Sequence, residues 1–166
     1  MRAADEVPGL AKILASEAFD TARGEQYVQW AQNALAAGLE TPSVLRLAIE
    51  EPPFFTPDLQ KLFRLALSEL KVEPITDEEA MVLYAQQVAR PILSGAMTPR
   101  DGARLFATLF PPHRTPAALG EWWKLDEAYD CDYCRTGVLQ NYRSIEEAIL
   151  AEARSLIAAS WRRRRD

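Results

Sequence analysis

Histidine occurs once in this 166-residue chain and cysteine twice, and those two shortages remove most of the usual catalytic chemistry. The single His113 sits in Pro111-Pro112-His113-Arg114-Thr115-Pro116, away from any serine motif, and no Gly-x-Ser-x-Gly occurs. Glycine is scarce as well, at seven residues, and none of them form a phosphate loop or a dinucleotide fingerprint. Two cysteines do not make a disulfide framework, which fits a reducing compartment. No apolar run approaches the roughly 18 to 20 residues of a membrane span. The N-terminus carries acids where a signal peptide needs an apolar core. These absences predict a cytoplasmic protein that is not an enzyme.

Alternating β-branched runs with hairpin chemistry are also missing, whereas helix punctuation is dense. Thr-Pro stands at 41-42, 56-57, 98-99 and 115-116, each time before an apolar-periodic segment. Threonine satisfies an orphan amide at the N-cap, and proline suits the next position because no donor is needed there. Thr76 with Glu79 and Ser144 with Glu147 have capping-box spacing. Gly38 and Gly95 stand where helices should stop. Apolar residues recur at helical spacing, as in Tyr27, Trp30, Ala31, Ala34 and Leu35, or Leu59, Leu62, Phe63, Ala66, Leu67 and Leu70. The expectation is an all-α fold of about seven or eight helices over 1–166, with a kink or break at Pro91.

The chain also resembles itself. Val28-Gln29-Trp30-Ala31-Gln32 parallels Val82-Leu83-Tyr84-Ala85-Gln86, and Gly38 then parallels Gly95. Pro52-Pro53-Phe54-Phe55-Thr56-Pro57 parallels Pro111-Pro112-His113-Arg114-Thr115-Pro116. This order predicts two tandem three-helix repeats, about 25–71 and 77–130, in a helical array or bundle within one domain. Added helices at the N-terminus and at about 144–162 would close it. At an offset of 60, Leu62 pairs with Trp122 and Phe63 with Trp123, after which Leu67 meets Glu127 and Leu70 meets Asp130. An apolar stripe in the first unit thus turns acidic in the second.

Beside that acidic stretch lies Cys131-Asp132-Tyr133-Cys134, for which three readings compete. A thiol-redox pair needs a thiolate, which cations or a helix N-terminus favour. Here Asp126, Glu127, Asp130 and Asp132 surround the sulfurs, and a helix running from Thr115 would end at them. A zinc site needs four ligands. Cys131, Cys134 and Asp132 supply three, and His113 lies about 20 Å away along a continuous helix at 1.5 Å rise per residue. The reading this pattern favours is packing: two small thiols under the last helix, with Arg135-Thr136-Gly137 ending their own.

Tyr27-x-x-Trp30-Ala31, Gly38, Leu45-Arg46-Leu47-Ala48 and Leu93-x-Gly95-x-x-x-Pro99 resemble a loose group of small, uncharacterised bacterial all-helical proteins. The resemblance covers about residues 25–125 and implies no activity or site residues. Proteins of that style often sit beside toxin or secretion genes, which implies an immunity-like or adaptor role. The resulting expectation is a helical module that binds another protein, itself basic, through an acidic-aromatic patch. The patch comprises Trp122, Trp123, Asp126, Glu127, Asp130, Asp132 and Tyr133, chosen because aromatics beside charge are usual at interfaces. The alternative is a zinc-binding or thiol-redox protein centred on Cys131 and Cys134. Net charge of −5 disfavours nucleic acid, with Arg162, Arg163, Arg164 and Arg165 the one opposing run.

Overall fold

Four of the predicted N-caps appear in the computed structural model, which describes residue 3, residues 6–110 and residues 115–159. Among those residues there are nine α-helices and no β-strand: α1 Leu10–Ala18, α2 Gly24–Ala36, α3 Pro42–Ala48, α4 Thr56–Glu69, α5 Asp77–Ser94, α6 Pro99–Leu109, α7 Trp122–Glu127, α8 Asp132–Leu139 and α9 Ile145–Ala158. The fold is all-α. Thr41 accepts from the Val44 amide and Thr98 from the Asp101 amide, so the hydroxyls of both satisfy orphan donors. Thr76 and Glu79 form a reciprocal capping box at the start of α5. Ser144 accepts from the Glu147 amide at 3.1 Å, but the return bond to Glu147 comes from the Arg143 amide at 2.8 Å. His113 with its Pro-Pro loop, Trp161 and the arginine run 162–165 lie outside the described residues.

Two Thr-Pro expectations need correction. Phe55 is the N-cap of α4, and Thr56 is already its first helical residue. The segment after Thr115 is not one helix: a 3-10 turn at Ala117–Leu119 gives way through Gly120 to the short α7. Pro91 does not end α5, which runs on to Ser94.

The chain divides into two compact units, residues 1–81 and 82–166. In the first, Phe63 receives the edge of Trp30 at 4.8 Å and the tilted ring of Tyr27 at 5.2 Å. Each of these rings is almost fully buried, and burying a large apolar side chain stabilises by about 1.5–3 kcal/mol. Glu17 ties α1 to α2 and α4: it accepts from the Tyr27 hydroxyl at 2.8 Å, from Gln60 at 3.0 Å and from Arg64. Glu69 accepts from both the amide and the hydroxyl of Ser43, joining the end of α4 to the start of α3.

In the second unit the core is built on Phe106, which stacks on Trp122 at 3.8 Å with 10° between the rings. Phe110 extends this stack toward Tyr84. Gln86 donates to the carbonyls of Leu156 and Ala159, which holds the last turn of α9 against α5. Among the described residues no helix is long and apolar enough to cross a membrane.

Candidate functional site

Helix α8 begins at the cysteine pair instead of ending there. Cys131 is its N-cap in extended conformation (φ −122°, ψ 114°), and its sulfur accepts from the Cys134 amide at 3.5 Å. The turn that delivers it is fixed by Arg135, whose guanidinium donates to the carbonyls of Ala128 and Tyr129 and to the Asp132 carboxylate. This corrects the expectation that a preceding helix runs into the thiols and that Gly137 stops theirs, since Gly137 lies inside α8. Both cysteines are half-buried free thiols, so neither is a core residue. Donation from the Cys134 amide, the Cys134 thiol and the Tyr133 amide holds the Cys131 thiol below its ordinary pKa. Donating to Cys131 pushes the Cys134 thiol up, and burial adds to this.

The proposed patch separates into three parts. Trp122 is buried under Phe106 and belongs to the core, so it is withdrawn from the partner surface. Trp123 is half-buried, and Tyr133 is 89% exposed. Of the acids, Asp132 pairs with Arg135 at 3.1 Å and Asp130 lies 3.9 Å from Arg100. Arg100 also covers the ring of Tyr129 at 4.7 Å. Asp126 and Glu127 have no ion-pair partner among the described residues. The buried residues of α7 are Trp122 and Leu125, so its inner face is apolar.

What the sequence did not reveal is a cleft of about 540 Å³ among α7, α8 and α9. Trp123, Tyr133 and Tyr142 give it aromatic walls, Cys134 lies on one side, and Glu121 and Glu152 supply carboxyls. Lys124 neutralises Glu121 at 2.8 Å, whereas Glu152 has no ion-pair partner among the described residues. Burial, with Glu121 nearby, raises the Glu152 carboxyl above its ordinary pKa. One signal for this residue was present: Glu152 follows Ile145, Ala148 and Ile149 and precedes Leu156 at helical spacing, so it falls on the inward face.

Among the described residues no three His, Cys, Asp or Glu side chains come together as a metal would require. A second exposed apolar set, Ile49, Phe55 and Leu65, belongs to the first unit, where Phe55 and Leu65 line a smaller cleft of about 420 Å³ with Phe54, Glu50, Glu51 and Asp58. No protein-family model matches this chain, and neither a curated protein nor a solved structure matches it.

Proposed function

We propose that this protein is a non-catalytic helical interaction module whose α7–α8–α9 cleft receives a basic segment of another protein. The observation that carries this reading is the cleft: aromatic walls, Glu152 inside, and Asp126 and Glu127 on the short α7 beside it, none of the three acids with an ion-pair partner among the described residues. Aromatic faces and carboxylates together suit an arginine or lysine side chain, which gains ring contact and charge at once. Exposed Tyr133 adds a rigid amphipathic contact at low entropic cost.

The site belongs, in this reading, to the second of two three-helix repeats. Gly38 and Gly95 support the duplication, because both follow a long helix with φ of +77°. The third element then diverged from the 14-residue α4 into a 3-10 turn and the 6-residue α7, which opened the cleft. An adaptor or immunity-like role, held in place by a basic partner, is the biological form this takes.

The test is binding of labelled arginine- and lysine-rich peptides, followed by anisotropy across a salt series. Wild type should bind with affinity that falls as salt rises, and Asp126→Lys with Glu127→Lys should lose at least tenfold, about 1.4 kcal/mol. Reversal of Glu50 and Glu51, which lie in the other unit, should change little. Binding indifferent to the first pair, or none by any basic peptide, would sink the reading.

A further inference from the structure

The sulfur of Cys131 is placed as few surface thiols are. It caps the eight-residue α8, so backbone amides point at it and the positive end of the helix dipole favours its anion. The Cys134 amide donates to it at 3.5 Å, which sets the two cysteines of the Cys-x-x-Cys pair one helical turn apart. Arg135 grips two carbonyls of the preceding turn and keeps this geometry. Of the surrounding carboxylates Glu127 opposes a thiolate at Cys131, yet the donors outweigh it. Half-burial leaves a route for a small reagent.

We propose that Cys131 and Cys134 are a reversible dithiol–disulfide couple, with Cys131 the attacking sulfur, Cys134 the resolving one, and low-molecular-weight disulfides the oxidant. The Cys131 thiolate attacks one sulfur of R–S–S–R, forming a mixed disulfide and expelling RS⁻. Cys134 then gives up its proton and attacks the Cys131 sulfur, closing the intramolecular disulfide and expelling the second RS⁻. Two electrons leave the protein thiols, and the small disulfide becomes two thiols. Closure also removes the Cys134 thiol from the cleft wall. This does not depend on the cleft binding a basic segment, because the chemistry needs only the two sulfurs and α8.

Reduced protein incubated with oxidised glutathione at neutral pH, quenched in acid and weighed by mass spectrometry, tests it. Wild type should lose two hydrogen masses, resist maleimide, and regain both thiols with dithiothreitol. Cys134→Ser should accumulate one glutathione adduct on Cys131, and Cys131→Ser should react about tenfold more slowly. Circular dichroism checks that both variants stay helical. Glutathione adducts persisting on wild type, or Cys131→Ser reacting as fast as Cys134→Ser, would overturn the assignment.

Discussion

Trp122 and Trp123 are neighbours with opposite fates, and one helical step of about 100° decides between them. Trp122 stacks under Phe106 while Trp123 lines the cleft. Burial leaves the Trp122 indole N–H without an acceptor among the described residues, as also happens at Trp30. An unmet buried donor costs about 1–3 kcal/mol, which the stacking and burial of so large a ring offset. Tyr129 is better served. Its hydroxyl donates to Glu146 at 3.1 Å, and burial together with that carboxylate pushes its pKa from 10.0 up to about 12. The neutral phenol is therefore favoured by folding, so its contribution is complete below pH 10 and is lost as pH rises toward 12. Urea unfolding along that alkaline range should show wild type losing stability more steeply than Tyr129→Phe. Parallel slopes would mean the phenol does not titrate with folding.

Within the helices, two glycines make opposite predictions. A Cβ on Gly102, in the first turn of α6, would lie 2.3 Å from the buried Ile92 side chain of α5. Gly102→Ala gains about 1 kcal/mol of helix propensity but overpacks a site where strain costs about 1–3 kcal/mol. The expected result is a lower denaturation midpoint. Gly137 has nothing within 4 Å and sits inside α8, so Gly137→Ala should stabilise by about 0.5–1 kcal/mol and raise the midpoint. Equal signs for the two in chemical denaturation would contradict the packing described. Much of this level was legible in advance, because caps are local: Thr41, Thr98, Thr76 and Ser144 each bond within three residues of themselves. The start of α8 was not legible. A cysteine N-cap is outside the usual Ser, Thr, Asp and Asn signal, and the anchoring bonds of Arg135 depend on a turn that only folding creates.

For the whole chain, the net charge of −5 makes a long-range statement that packing does not alter. At physiological ionic strength the protein should not retain duplex DNA in an anisotropy titration. Retention lost on truncation at Arg162 would instead assign that function to the arginine run. Residue types and their spacing by themselves determined the all-α class, most helix starts, the αL stops at Gly38 and Gly95, and the absence of familiar catalytic motifs. These rest on interactions between near neighbours, which a single sequence records. Only the folded structure decided that Trp122 is core, that Glu152 faces a cleft, and that Cys131 begins a helix with the Cys134 amide donating to its sulfur. The first two depend on how distant helices meet, Trp122 on Phe106 of α6 and Glu152 on α7 and α8, through contacts too far apart in the chain for spacing to fix. The Cys131 cap is local but rests on a turn that residue types do not signal.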